Sequence, residues 1–210
     1  ATTLQNKLAP MHPHERISHL FSITSRLMVT TSGGRYSYVL PYLIAQAIGH
    51  KTFPIVFVDT GFYPSSTYHM IEGLKRDGFQ VDIRTPELTP SYIEAIYGDI
   101  NSCDLKTQEW LLDKIKTNPL NHAFETYEPL IWIRGIRRDE SHIRKDYPFV
   151  WERNGVFQVY PILDWTEEDV QNFLLNHDLP ENPEHFDITK GSTGKRECPI
   201  GERCGTKKLA

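Results

Sequence analysis

Short apolar runs alternate with helix-period segments along most of this chain, and that alternation limits its fold more than any other feature. The run RLMVTT at 26–31 is followed by a Gly turn, Ser32-Gly33-Gly34. A helix is then expected over 36–49, where Val39, Leu40, Leu43, Ile44 and Ala47 repeat at helical spacing. The run PIVFV at 54–58 is apolar almost throughout, as a strand covered on both faces would be. Pro64 marks a helix start, where its missing N–H costs nothing, and that helix should run to about Arg76. Further strands are expected at 80–84 and 130–133, with helices near 14–24, 89–97, 105–116 and 119–127. Residues 150–160 suggest a hairpin with Asn154-Gly155 as its turn. Thr166 to Asp169 has the pattern of a capping box that starts a helix reaching about His177. Such alternation predicts an α/β fold: a doubly wound, mainly parallel sheet with helices on both faces. From Asp178 onward Pro, Gly and charges dominate, and an irregular C-terminal tail is expected. We therefore read 1–178 as an α/β domain, for which the loops below suggest a bound nucleotide, and 179–210 as a basic, cysteine-bearing tail of the same domain.

Composition narrows the class. At 210 residues, 39% hydrophobic and 24% charged, the chain can bury a core without staples. No apolar run is long enough to span a membrane, and the N-terminus lacks an apolar signal core. Three cysteines cannot build a disulfide framework, so a reduced, cytoplasmic setting is expected. A formal charge of −4 argues against nucleic acid as a partner. The charge is unevenly placed, however. The last 21 residues hold six Lys/Arg against two Glu, a surplus of four, which leaves −8 on the rest. A second basic group, Arg134, Arg137, Arg138, Arg144 and Lys145, lies mid-chain. Two basic patches on an acidic body suggest a site for a compact anion; solvated surface is the bland alternative.

The loops that end the apolar runs supply chemistry for such an anion. In doubly wound sheets ligands bind beyond the carboxyl ends of the strands. Ser32, Gly33, Gly34 and Ser37 offer close backbone approach, hydroxyl donors and the amides of a following helix. This is neither a Walker A loop nor a dinucleotide fingerprint. Asp59, Thr60 and Gly61 end the second run, so a nucleotide-sized anion would fit between the two loops. Arg137 and Arg138 follow a third run and have the fork geometry that grips sulfate or phosphate.

Taken in order, SGGRYS, VFVDTGFYPSSTYHMIEGL, NPLNHAF, IRGIRRDES, FQVYPILDWTEEDVQNFLLNHDLP and KRECPIG resemble segments of the phosphoadenylyl-sulfate (PAPS) reductase family. The resemblance covers about residues 26–180 and resumes at 195. It implies the adenine-nucleotide α-hydrolase-like (PP-loop) fold, binding of an adenosine phosphosulfate nucleotide, and reduction of 3′-phosphoadenylyl sulfate to sulfite. It also implies that Cys198 attacks sulfur, with Lys195 and Arg196 beside it, and that thioredoxin or glutaredoxin reduces the resulting S-sulfonate. Relatives are often homodimers. No resident cofactor is implied: the cysteine pattern of cluster-bearing adenylyl-sulfate reductases is absent, and three scattered cysteines do not suit an iron–sulfur cluster.

The chain also departs from the family. Pro199-Ile200-Gly201 replaces the expected continuation after the cysteine, and the stretch from Trp165 to Cys198 is short. Tyr36 stands where related ATP pyrophosphatases carry Asp, which disfavours Mg-ATP cleavage. Cys204 is either a thiol that resolves the S-sulfonate or a spare exposed one. A zinc site of Cys198, Cys204 and His177 or His185 is a further alternative, and Cys103 is expected to be inert. Two other functions stay open: a PP-loop ATP pyrophosphatase or sulfur-transfer enzyme, and a nucleotide-binding relative without reductase activity.

Overall fold

The computed structural model describes residues 1–182 apart from Ser141. Six strands form one sheet: β1 (Leu27–Thr31), β2 (Ile55–Val58), β3 (Val81–Arg84), β4 (Ile131–Arg134), β5 (Val150–Arg153) and β6 (Val156–Val159), in the order β3-β2-β1-β4-β6-β5. Every pairing is parallel except β5 with β6. The expected α/β architecture is the one observed. Val29 sits level with Ile55 on one side and Ile133 on the other, and Ile133 sits level with Val159. Asn154 and Gly155 turn the β5–β6 hairpin with positive φ, 51° and 76°, as a primed two-residue turn requires.

Helices cover both faces. They are α1 (Thr2–Leu8), α2 (Pro13–Ile23), α3 (Arg35–Ile48), α4 (Ser65–Arg76), α5 (Pro90–Tyr97), α6 (Leu105–Leu112), α7 (Asn118–Tyr127) and α8 (Glu167–Asn176). The main core joins Val29, Ile55, Ile133 and Val159 to Ile17 and Leu20 of α2, Leu40 and Leu43 of α3, Ile71 of α4 and Val170 of α8. On the opposite face Met28, Val56 and Trp132 meet Leu120 and Ala123 of α7. A small cluster of Ile93, Ile100, Leu111 and Ile115 holds α5 and α6 together.

The structure differs from the sequence expectation in two places. The segment 2–8, where no element was expected, is helical, and Leu8 is fully buried. The buried Arg16 fixes this end, donating to the Leu8 carbonyl at 3.1 Å and to both Asp164 carboxylate oxygens at 2.6 and 2.7 Å. The helix expected over 105–116 stops at Leu112 and continues as a wider π turn, Asp113–Thr117, into α7.

The chain moves outward from β1 through β2 to β3, then returns to place β4 on the other flank of β1. The strand order therefore reverses between β1 and β4, and the crevice this opens lies beyond their carboxyl ends.

Candidate functional site

Three loops stand side by side above the carboxyl ends of β2, β1 and β4. The middle loop is the tightest. Gly33 has φ +69°, and a Cβ there would lie 2.8 Å from Thr67 Cγ2, so the position needs glycine. The Gly33 amide donates to Thr31 Oγ1 at 3.2 Å. Ser37 Oγ accepts the Ser32 amide at 3.0 Å, contacts Ser32 Oγ at 3.0 Å and donates to the Gly34 carbonyl at 3.1 Å. Gly34 is the N-cap of α3 and offers no side chain to cap it. The first amides of a 14-residue helix thus face the loop, where an anion would satisfy them.

On the β2 side, Asp59 Oδ1 accepts the Gly61 amide at 2.8 Å and the Tyr68 hydroxyl at 2.9 Å. Burial, and next the Asp59 carboxylate, push the Tyr68 phenol up to about 12. Thr60 is buried, and its hydroxyl accepts the Phe62 amide at 3.4 Å. The Asp-Thr-Gly segment is thereby a fixed wall beside the glycine loop.

On the β4 side the structure separates the mid-chain basic group. Arg137 is 2% exposed and lies over the Tyr36 ring, 4.0 Å from its centroid. Its Nη2 donates to Glu167 Oε2 at 2.7 Å, while Nε and Nη1 are buried with no hydrogen-bond partner. Arg138 instead donates to the Tyr147 carbonyl at 3.2 and 3.1 Å and lies over Phe149. Arg134 stacks on Trp132 and donates to Gln158 at 3.1 Å, and Arg144 is paired with Glu140. Of the two arginines expected to grip an anion, Arg137 keeps two buried donors without a partner, while Nε and Nη2 of Arg138 go to a backbone carbonyl. Burying a guanidinium with two orphaned nitrogens is costly, and an oxyanion would satisfy both.

Four residues not singled out from the sequence complete the site. Glu167, the first residue of α8, accepts the Tyr36 hydroxyl at 2.6 Å and pairs with Arg35 as well as Arg137. Arg35 also pairs with Glu181. Asn182 is buried and donates to the Gly33 carbonyl at 3.0 Å and to Thr67 Oγ1 at 3.1 Å. The capping box of Thr166 and Asp169 was legible, but the outward partner of the intervening Glu167 was not.

Lys195, Arg196, Cys198, Cys204 and His185 lie outside the described residues. His177 contacts Gln46 Nε2 at 3.1 Å, and Cys103 Sγ donates to the Tyr97 carbonyl at 3.4 Å. Among the described residues no group of three His, Cys, Asp or Glu could hold a metal, and no helix is long and apolar enough to cross a membrane. A groove lined by Thr52, Pro54, Gln80 and Tyr127 opens at the amino ends of β2 and β3, the far end of the sheet from the three loops.

Comparison with known proteins bears on this geometry. Residues 26–188 match the sequence model of the phosphoadenosine phosphosulfate reductase domain. A protein of Zymomonas mobilis named phosphoadenosine 5′-phosphosulfate reductase is 28% identical over 179 residues, which span 84% of this chain and 72% of that protein. Its namesake from Alkalilimnicola ehrlichii is 29% identical, over 86% of this chain and 74% of that protein. The fold is shared with the phosphate complex of PAPS reductase from Candida auris, with a TM-score of 0.72 at 19% identity over 86% of this chain and 87% of that one. FMN adenylyltransferase of Candida glabrata aligns with a TM-score of 0.55 at 14% identity, over 76% of this chain and 50% of that one.

Proposed function

Because this chain belongs to the phosphoadenosine phosphosulfate reductase domain family, we propose that it is a thiol-dependent reductase of 3′-phosphoadenylyl sulfate serving sulfate assimilation. The observation that carries the reading is Arg137: a buried guanidinium with two unpartnered nitrogens, beside a glycine loop at the start of α3. In this reading Ser32, Gly33, Gly34 and Ser37 hold the phosphosulfate from below, Asp59, Thr60 and Gly61 wall the nucleotide, and Arg137 takes anionic oxygens from the β4 side. Arg138 supports the site through the Tyr147 carbonyl rather than through the nucleotide.

The chemistry falls to the tail. The Cys198 thiolate attacks sulfur, a sulfur–sulfur bond forms, and the sulfur–oxygen bond to the phosphate breaks. Adenosine 3′,5′-bisphosphate leaves with the bonding pair, while Lys195 and Arg196 offset the charge that builds on it. A reduced dithiol protein of the thioredoxin or glutaredoxin type then attacks the S-sulfonate. Sulfite leaves, the carrier is oxidised to its disulfide, and Cys198 returns as thiol. Cys204 stands near enough in sequence to resolve the adduct instead. The scheme calls for no resident redox centre.

The test is sulfite release from 3′-phosphoadenylyl sulfate with reduced thioredoxin, read alongside intact mass. Wild type should release sulfite and, without thioredoxin, gain the mass of one S-sulfonate. Cys198→Ser should bind nucleotide and do neither, since a serine hydroxyl without a base is a far poorer nucleophile. Sulfite release by Cys198→Ser would overturn the assignment of the nucleophile.

A further inference from the structure

Glu167 is joined to three groups of the anion site at once, and its own helix does not need it. Thr166 and Asp169 already close the α8 capping box, with the Asp169 amide on Thr166 Oγ1 at 3.2 Å and the Thr166 amide on Asp169 Oδ2 at 2.7 Å. Glu167 between them turns across the crevice. Its Oε2 accepts both the Tyr36 hydroxyl at 2.6 Å and Arg137 Nη2 at 2.7 Å, and its Oε1 pairs with Arg35. Arg35 and Tyr36 are the first two residues of α3, directly after Gly34. One carboxylate on α8 therefore ties down the helix start that completes the phosphate loop and the arginine that faces it.

From this we infer that Glu167 is a positioning residue for nucleotide binding, acting through Arg137 and Tyr36 rather than by touching the nucleotide. The inference rests on the reading of the three loops as a nucleotide site. The Arg137 guanidinium lies over the Tyr36 ring at 4.0 Å, and its Nη2 is held by Glu167 at 2.7 Å and by Asp139 at 3.3 Å. That fixes the plane of the guanidinium and leaves Nε and Nη1 as its unpartnered donors. A guanidinium loses less freedom on binding an oxyanion when it is aimed beforehand. The same carboxylate is itself an anion beside an anion site. Electrostatics alone would have its removal tighten nucleotide binding; positioning would have it weaken binding. The two effects have opposite signs, so the experiment can separate them.

The measurement is a double-mutant cycle on the affinity of the full-length chain for adenosine 3′,5′-bisphosphate, with inorganic pyrophosphate as a second probe. Arg137→Ala and Glu167→Ala should each weaken nucleotide binding roughly tenfold, on the scale of one charged hydrogen bond. Combined, they should weaken it no more than Arg137→Ala alone. Glu167→Gln keeps an acceptor oxygen near the Arg137 position and should recover at least half of the loss on a logarithmic scale. It also guards the test should Glu167→Ala fold poorly. Tighter binding by either Glu167 variant, or additive losses in the double variant, would overturn the inference. Failure of wild type to bind nucleotide while pyrophosphate still follows the cycle would discard the nucleotide reading and keep the positioning role. If wild type bound neither probe, both would fall.

Discussion

Arg137 and Arg138 are neighbours of one type, yet their side chains meet different surroundings. One lies on an aromatic face with two nitrogens unpartnered; the other is tied to a backbone carbonyl. Residue type and spacing do not distinguish them, because Tyr36 and Glu167 arrive from distant helices and Tyr147 from a loop nine residues on. Tyr68 shows the same dependence on context. Its hydroxyl donates to Asp59, and burial together with that carboxylate lifts its pKa from 10.0 to about 12. The folded state then holds the phenolic proton more tightly than the unfolded chain does. Its contribution to stability is complete below pH 10 and is lost as pH rises through about 12. Urea unfolding of wild type and Tyr68→Phe from pH 8 to 12 checks this. The advantage of wild type should hold to pH 10 and shrink above it. A difference that stays level through pH 12 would mean the Asp59 contact does not hold the proton.

At the scale of elements, the site depends on how closely the end of β4 approaches the start of α3. A Cβ on Gly135 would lie 2.7 Å from the Tyr36 carbonyl oxygen and 2.9 Å from Ser37 Cα, both backbone atoms that cannot swing aside. Gly135→Ala should therefore push the helix start away from the strand. Overpacking of this kind costs about 1–3 kcal/mol, and here it should also weaken adenosine 3′,5′-bisphosphate binding by displacing the loop amides. Denaturant unfolding and calorimetry on one preparation read both effects; unchanged binding would show that the loop tolerates the shift. This contact explains what was legible in advance and what was not. Strands β1, β2 and β4 announce themselves because each opens with at least three consecutive apolar residues, as parallel strands covered on both faces do. The loops follow from the strand ends, so Ser32 to Gly34 and Asp59 to Gly61 could be placed together from sequence. Close approach between Gly135 and α3 could not, since a glycine in a loop has many uses. Helix α1 was missed because Leu4 and Leu8 are its only apolar residues and no capping side chain marks its start. The π turn at 113–117 leaves helical periodicity almost unchanged, so the break it makes was hidden too.

Over the whole molecule, the site collects residues from position 32 to position 182, and its last member has the most consequence for chemistry. Leu179 returns to the core, Glu181 pairs with Arg35, and Asn182 reaches the glycine loop across 149 positions of sequence. Cys198 lies 16 residues further on. Extended chain covers about 3.3–3.6 Å per residue, so a tether of that length could reach ~55 Å and does not by itself bring the cysteine to the nucleotide. What is fixed is its origin, since Asn182 is bonded to the Gly33 carbonyl and so sits on the glycine loop. If Cys198 is the nucleophile, anchoring the chain at the loop raises the effective concentration of its thiol there. Asn182→Ala removes the bonds to the Gly33 carbonyl and to Thr67 Oγ1, at a cost of about 1–3 kcal/mol in stability. Asn182→Asp should do no better, because its carboxylate can accept from Thr67 but repels the Gly33 carbonyl. If Cys198 is the nucleophile, both variants should form the S-sulfonate roughly tenfold more slowly in single turnovers at saturating nucleotide, with affinity falling much less. Rapid-quench mass spectrometry of the adduct, beside equilibrium binding of adenosine 3′,5′-bisphosphate, separates the two quantities. Lost stability with an unchanged adduct rate would reduce Asn182 to a structural clasp. A loss of affinity equal to the loss of rate would place its effect in the loop and not in the delivery of the thiol.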